Sequence, residues 1–360
     1  MRALSVAVVA ALLLTGCAAP QANWRNAAVG LSVTSVTSTS AGFLVGGRRD
    51  GAAAVVRVSA NGTSPVALHP QEPYAQTASI VALAAGAQQL YGIGVDVGGA
   101  HANPRWSAWD GTPAELTSRP QPFFTFGGHD AGPLLGVAVL GSDPVIVGSR
   151  TTALGARAVF YSLSGTTWSA PASSPDPLTS TRQDEYGFTA FAVAGRFLVL
   201  VGDDLHLVDG VHQSPVAWVG RPGGPWTRVD LDTAGLEGSG LAHATDVACT
   251  GEQCWVTGWV RGHAVAWPLE LTADGAARAG APARLPGAPD PGVDPIGRVA
   301  IVGGRPVVAP NGLAATVQVG CTDGWRQYSA PGPITALAVS DSTVAAVSGQ
   351  ALWTWEIPGC

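Results

Sequence analysis

The stretch FTAFAVAGRFLVLVGD, residues 188–203, decides the fold. Two short apolar runs flank Gly195-Arg196, and the second run ends at Gly202. Runs of this length, rich in Val and Phe and divided by a glycine-containing turn, are typical of paired antiparallel strands. The stretch therefore predicts a β-hairpin.

Similar pairs of runs recur along the chain at intervals of about forty to fifty-five residues, the spacing of a repeat protein. The other pairs lie at 31–47, 79–94, 134–149, 243–258, 296–310 and 334–349. Each pair is followed by a third run, at 52–59, 105–110, 156–164, 216–220, 263–271, 314–320 and 351–357. A fourth, more polar run follows six of them and often opens at tryptophan, as at 166–171, 225–231 and 324–331.

Four antiparallel strands per repeat are typical of a β-propeller blade. We predict an all-β chain that forms a seven-bladed β-propeller. Six or eight blades remain open, because the copies at 31–47 and 296–310 are weak.

The last repeat ends at Cys360 and lacks a fourth strand, whereas Asn23–Asn26 resembles the fourth strand that begins at Gly324. We predict that the N-terminal strand completes the last blade and closes the ring, which removes an unpaired sheet edge.

The tryptophan-bearing turns resemble degenerate Asp-box repeats of the BNR type, found in sialidase-like propellers. Ser162–Trp168 lacks the aspartate of the motif and is one residue short, and Cys321–Trp325 keeps Asp-Gly and Trp at a different spacing. The resemblance implies a propeller that binds or hydrolyses glycans.

The N-terminus carries one arginine and an apolar run, Ala3–Leu14, that is too short to cross a bilayer as a helix. Leu14-Thr15-Gly16-Cys17 resembles the lipobox of bacterial lipoproteins. The resemblance implies that residues 1–16 are removed, that Cys17 is acylated and that residues 17–22 form a tether. Residues 23–360 would then form a single propeller on the extracytoplasmic face of the cell membrane. An ordinary secretory signal with a chance cysteine is the alternative.

The net charge is −6, and all 19 basic residues are arginine, scattered along the chain. This composition argues against nucleic acid as a partner. No spacing of Cys and His matches a zinc site, and we predict neither a metal nor a cofactor.

The four remaining cysteines predict two disulfides, since an exported protein can form them. Cys249 and Cys254 flank a turn between two strands, so they face each other across a hairpin. Cys321 and Cys360 end the third strands of two neighbouring blades and are the second predicted pair. Free buried thiols are the alternative.

Candidate binding residues lie in the loops between second and third strands and between blades, because these loops meet on one face of a propeller. They are Arg48, Arg49, His101, Arg105, Trp106, Phe123, Phe124, Phe126, His129, Asp130, Arg150, Asp184, Glu185, Tyr186 and Arg261. Convergent arginines can hold a carboxylate or phosphate, and exposed aromatic rings suit a sugar or a peptide side chain.

The sequence favours a monomeric, non-catalytic platform for an envelope protein or a glycan. A sialidase-like hydrolase or a lectin is the alternative, and catalysis remains open. Glu185 and Tyr186 cannot act together as a nucleophile pair, since neighbours on an extended strand point apart. Residues 203–212 are rich in Asp and His but lack the regular spacing of a calcium loop, so we interpret them as a solvated hairpin.

Overall fold

A computed structural model describes residues 21–98, 103–237, 241–286, 297–311 and 315–360. Residues 1–16, Cys17 and His101 lie outside these ranges. Antiparallel strands dominate the described residues, as the repeats predict, and within them no helix has the length and hydropathy to cross a bilayer.

Five sheets are separate blades, and four of them have four strands each. The β10 blade has β10 (Ala131–Leu140), β11 (Asp143–Thr152), β12 (Gly155–Ser164) and β13 (Thr167–Ser169). The β14 blade has β14 (Asp184–Ala194), β15 (Phe197–His206), β16 (His212–Gly220) and β17 (Trp226–Asp230). The β23 blade has β23 (Arg298–Val302), β24 (Arg305–Ala309), β25 (Thr316–Cys321) and β26 (Gly324–Ser329). The β27 blade has β27 (Ile334–Ser340), β28 (Thr343–Ser348), β29 (Ala351–Glu356) and β1 (Arg25–Asn26).

The fifth separate blade, the β18 blade, has one additional short strand. It contains β18 (Ala242–Thr250), β19 (Gln253–Val260), β20 (His263–Leu271), β21 (Ala277–Ala279) and β22 (Ala283–Arg284). Strand β22 pairs with β20, beside β21 on the same edge.

The other strands form a single eight-stranded sheet. Its first half has β2 (Ser32–Thr39), β3 (Gly42–Arg49), β4 (Ala52–Ser59) and β5 (Gly62–His69). Its second half has β6 (Ser79–Ala85), β7 (Leu90–Gly98), β8 (Asn103–Thr112) and β9 (Glu115–Arg119). The prediction of seven separate blades is therefore corrected to five separate blades and this joined sheet. The reason is that the outer strands β5 and β9 pair in parallel over Ala67–His69.

The N-terminal strand closes the ring, as predicted. Arg25 and Asn26 pair with Thr354 and Trp353 of β29. The first strand of each four-stranded unit lies at the centre, where β27 contacts β2. These inner strands surround a central channel of about 540 Å³, lined by parts of β2, β14, β18, β23 and β27.

Apolar side chains from facing sheets form the core, one layer at each junction. Third strands β8, β16 and β20 each supply one fully buried tryptophan to these layers, Trp109, Trp218 and Trp267 respectively. Tryptophans that open fourth strands are also packing residues, since Trp168 and Trp226 are buried. Burial of such large rings stabilises the junctions that contain them.

Both predicted disulfides are present. Cys249 bonds to Cys254 across the β18–β19 hairpin, and Cys321 bonds to Cys360. The second bond ties the C-terminus to the β23 blade.

Successive strands of each sheet run in opposite directions, so the connections between them lie on two opposite faces of the ring. The upper face carries the turns between second and third strands and the segments that join one sheet to the next. The lower face carries the turns between first and second and between third and fourth strands. Two single-turn helices, α1 (Pro73–Thr77) and α2 (Phe123–Phe126), lie in joining segments on the upper face.

Candidate functional site

Exposed apolar side chains are concentrated on the upper face. In the described residues, every large apolar side chain with strong exposure lies there: Val97, Phe123, Phe124, Leu154, Leu207, Val208, Val211 and Leu241. We call these residues the apolar arc. They lie on consecutive parts of the ring, from the second half of the joined sheet to the β18 blade. Apolar side chains exposed together on one face are a feature of interaction surfaces, so the arc is the candidate site.

Helix α2 supplies the most exposed rings of the arc. Phe123 and Phe124 are 61% and 72% exposed, with ring centroids 5.2 Å apart in an edge-to-face arrangement. Phe126 instead is buried and packs edge-to-face on Tyr161 at 5.1 Å. Phe126 therefore anchors the turn in the core while the other two rings point into solvent.

The backbone after α2 requires glycine. A Cβ at Gly127 would lie 2.7 Å from the carbonyl oxygen of Phe123, and Gly128 has φ +105°. Larger residues are excluded by the first contact and strained by the second conformation. The two glycines thus hold the α2 turn in one tight path.

Arg150 of β11 fixes this turn from below. Its guanidinium donates to the carbonyl oxygens of Phe124 at 2.6 Å and Thr125 at 2.9 Å, and to Oδ1 of Asp130 at 2.7 Å. The Arg150 side chain is only 12% exposed. The hydrogen bond from Arg150 lowers the pKa of Asp130. Arg150 and Asp130 therefore position the exposed rings and are not free to hold a ligand anion.

A cleft of about 70 Å³ lies beside α2. Its lining includes Tyr74 of α1, Arg105 and Trp106 of β8, and Phe123 of α2. The Arg105 guanidinium carbon is 5.9 Å from the Phe123 ring centroid, a cation–π distance. Burial raises the pKa of Tyr74, and the negative charge of Glu72 raises it further by a smaller amount. The Tyr74 hydroxyl therefore stays protonated and can donate a hydrogen bond.

The remaining predicted arginines do not converge on one anion. Arg49 donates to the carbonyl oxygens of Gly30 at 2.9 Å and Val29 at 3.2 Å. Arg261 donates to the carbonyl oxygen of Leu236 at 2.8 Å. Each of them therefore binds the backbone segment that leads into its own sheet.

Other predicted face residues are dispersed. Arg48 donates to the carbonyl oxygen of Gly51 at 3.3 Å, and His129 is exposed. Glu185 is exposed and Tyr186 is buried, so they lie on opposite faces of β14, as strand alternation predicts. These two side chains do not form a site together.

An ionic network lies at the upper end of the β14 blade. His206 Nδ1 is 2.7 Å from Oδ1 of Asp184, and Arg228 donates to buried Asp204 at 2.6 Å and to Asp230 at 2.9 Å. Burial raises the pKa of Asp204, and the hydrogen bond from Arg228 opposes this increase. Nothing in the sequence indicated that Asp204 pairs with Arg228. Across the described ranges, no three His, Cys, Asp or Glu side chains are arranged to hold a metal ion.

The sequence analysis did not predict several residues of the apolar arc. Leu207, Val208 and Val211 surround the turn residues Asp209-Gly210, where polar side chains are the rule. Apolar residues beside a turn are the sequence feature that could have indicated this part of the exposed surface. Leu154 has the same placement in the β11–β12 turn.

The ring of antiparallel blades is that of a β-propeller protein. No family model and no curated protein matches this chain. Among solved structures, a protein from Lactobacillus plantarum aligns with a TM-score of 0.50 at 14% identity, covering 88% of this chain and 88% of its own. BamB from Moraxella catarrhalis aligns at 0.48 and 10% identity, covering 94% and 97%. Chaetomium thermophilum Sqt1, bound to the N-terminus of ribosomal protein L10, aligns at 0.48 and 15% identity, covering 92% and 86%. Similarity at this level of identity concerns the fold alone.

Proposed function

We propose that this chain is a non-catalytic platform that docks another extracytoplasmic protein on the apolar arc of its upper face. The observation that carries this proposal is the confinement of the exposed large apolar side chains, in the described residues, to one face. Chance exposure would scatter such residues over the whole surface.

The chemistry of the arc favours a protein partner over a glycan. Most of its members are Val and Leu, which provide no flat ring on which a sugar can stack. The cleft of about 70 Å³ is far below the size of ordinary small-molecule pockets, roughly 300 Å³ or more. A cleft this small suits one anchoring side chain of a partner, the usual arrangement at an interface hot spot.

The cleft offers no support for the alternative of a sialidase-like hydrolase. Glycoside hydrolysis usually needs paired carboxyl groups about the scissile bond. The described side chains that line the cleft include no Asp or Glu. The predicted carboxylate Asp130 is held by Arg150.

We propose further that acylated Cys17 anchors the propeller with its upper face directed away from the membrane. Gln21–Asn23 precede β1 and lie beside Thr343, Glu356 and Pro358, on the lower side of the β27 blade. A tether of residues 17–22 would then join the membrane at that side. Metabolic labelling with a fatty acid tests the anchor, since wild type should incorporate the label and Cys17→Ser should not.

We also propose that the two halves of the eight-stranded sheet pack on each other as neighbouring blades do. The apolar layer between its halves, with Leu44, Ile80 and Trp109, resembles the layers at the other junctions. Amide exchange at Ala67–His69 tests this. Fast exchange, as at an outer edge, supports packing of this kind, whereas core-like protection contradicts it.

The platform proposal is tested by crosslinking on intact cells and identification of the proteins that co-purify. We expect one partner to be recovered with wild type and lost with Phe123→Ser/Phe124→Ser and with Val211→Ser. Ser142→Ala, in the lower β10–β11 turn, is the matched control and should retain the partner. Retention of the partner by both upper-face variants would contradict the proposal.

A further inference from the structure

We propose that the one-residue gap in the outer edge of β12 at Phe160, together with the cavity beside it, is a second docking site. A single residue of an extended segment of a partner protein would pair with Phe160 there and place its apolar side chain in the cavity. This site is separate from the apolar arc and does not depend on it.

The outer edge of β12 is paired on both sides of Phe160 but not at it. The N–H of Ala158 donates to the carbonyl oxygen of Leu178, and the carbonyl oxygen of Ala156 accepts from the N–H of Ser180. On the other side, Ser162 pairs with Ser169 of β13. Alternation along a strand directs the N–H and C=O of Phe160 to the same edge as these even-numbered residues. In the described residues, no backbone group bonds to Phe160 on that edge.

The gap has a local cause. Strand β13 ends at Ser169, and the position that would pair next with Phe160 is Pro171. Proline has no N–H to donate, so the ladder cannot continue there. The chain returns to the β12 edge only at Ser174, whose hydroxyl donates to the carbonyl oxygen of Ala158.

A cavity of about 570 Å³ faces this gap. Its apolar lining includes Val145, Val159, Phe160, Pro175 and Pro222. The size lies within the range of ordinary ligand pockets. An unpaired backbone edge beside apolar pockets is the arrangement by which sheets bind extended peptides.

Arg157 gives the cavity a positive charge. Its side chain lines the cavity and donates to Ser174 Oγ at 3.2 Å. In the described residues it has no carboxylate within ion-pair distance. The occupant is therefore an extended segment with an apolar side chain at the gap and an acidic residue near Arg157.

Amide hydrogen exchange of the free protein is the first test. The amides of Val159 and Tyr161 point toward β11, so Phe160 should exchange at least about tenfold faster than both. Protection of Phe160 equal to that of its neighbours would overturn the proposal. Protection that rises with protein concentration would overturn it as well, because a second copy would then be the occupant.

Peptide titration is the second test, with exchange at Phe160 and calorimetry as readouts. The probe is the acetylated and amidated pentapeptide Val-Leu-Val-Asp-Ser, and the matched control carries N-methyl-leucine, which removes one backbone donor. We expect the probe to slow exchange at Phe160 and the control to bind about tenfold more weakly. Equal binding of both peptides, or no change at Phe160 at millimolar probe, would overturn the proposal.

Charge preference at Arg157 is tested by a third peptide with Lys in place of Asp. Wild type should prefer the Asp peptide by about fivefold, and Arg157→Gln should lose this preference while still slowing exchange at Phe160. A preference that survives in Arg157→Gln would contradict the assigned role of Arg157.

Discussion

The two exposed rings of α2 depend on a buried guanidinium. Phe123 and Phe124 lie in a single helical turn, which is too short to be stable by itself. Arg150 stabilises it by binding two of its carbonyl oxygens, and Phe126 anchors it in the core. The sequence predicted that Phe123, Phe124 and Arg150 lie on one face, but it did not show that the arginine positions the rings.

Replacing Arg150 by Gln should therefore loosen α2 and remove the contact that lowers the pKa of Asp130. We expect a loss of about 1–3 kcal/mol in the free energy of unfolding at pH 7, from carbonyl oxygens left without donors. Urea unfolding measures this loss. Unchanged stability would contradict the positioning role.

The pH dependence of Asp130 provides an independent check of the same contact. Arg150 lowers the pKa of folded Asp130, so the stabilisation is present above the unfolded pKa and is lost as pH falls through the folded pKa. The Asp130 side chain is 53% exposed, so this contribution stays below about 1 kcal/mol. Titration by NMR should show that the pKa of Asp130 rises in Arg150→Gln.

At the scale of strands, side chains near the ends of second strands bind the segments that enter the same sheets. Arg49, Arg150 and Arg261 bind carbonyl oxygens of those segments, and His206 binds Asp184 at the start of β14. Sequence reasoning placed these loops correctly but interpreted their arginines as ligand-binding. A carbonyl partner leaves no mark in the sequence, since every residue has one.

A related contact joins two neighbouring blades. Asp246 follows a register shift in β18, and its carboxylate accepts the amide of Val299 in β23 at 3.0 Å. Burial raises the pKa of Asp246, so the folded state holds its proton more tightly than the unfolded state does. The stability should accordingly decrease as pH rises from the ordinary Asp range through the raised pKa.

Two substitutions separate the charge of Asp246 from its hydrogen bond. Asp246→Asn removes the buried charge and keeps an acceptor, so it should be at least as stable as wild type at pH 7. Asp246→Ala leaves the Val299 amide unpaired and should lose about 1–3 kcal/mol. Urea unfolding at pH 5 and pH 7 measures both, and an Asn variant as unstable as the Ala variant would contradict this explanation.

At the scale of the whole ring, closure depends on contacts between the two ends of the chain. Strand β1 pairs with β29, Trp24 packs on Trp355 at 5.3 Å, and its indole N–H donates to the carbonyl oxygen of Ser329 at 2.8 Å. The sequence predicted this closure because the last repeat lacked one strand. It did not predict the joined sheet, which depends on β5 and β9, strands far apart in the chain that pair only after folding.

The two disulfides should contribute unequally to the stability of the ring. Cys321 and Cys360 are separated by 39 residues and Cys249 and Cys254 by 5. Loop-closure entropy gives about 4 kcal/mol for the first pair and about 2 kcal/mol for the second. Thermal unfolding of the two double Cys→Ser variants compares them, and an equal or greater loss for the Cys249–Cys254 pair would contradict the prediction.

Photocrosslinking from single sites tests the platform most directly. Benzoylphenylalanine is introduced at Phe124, Leu154 or Val211 on the upper face, and at Ser142 or Glu252 on the lower face. We predict that the three upper sites crosslink to one common partner protein in intact cells and that the two lower sites do not. Crosslinks from the lower sites alone, or a different partner from each upper site, would contradict a single docking surface on the apolar arc.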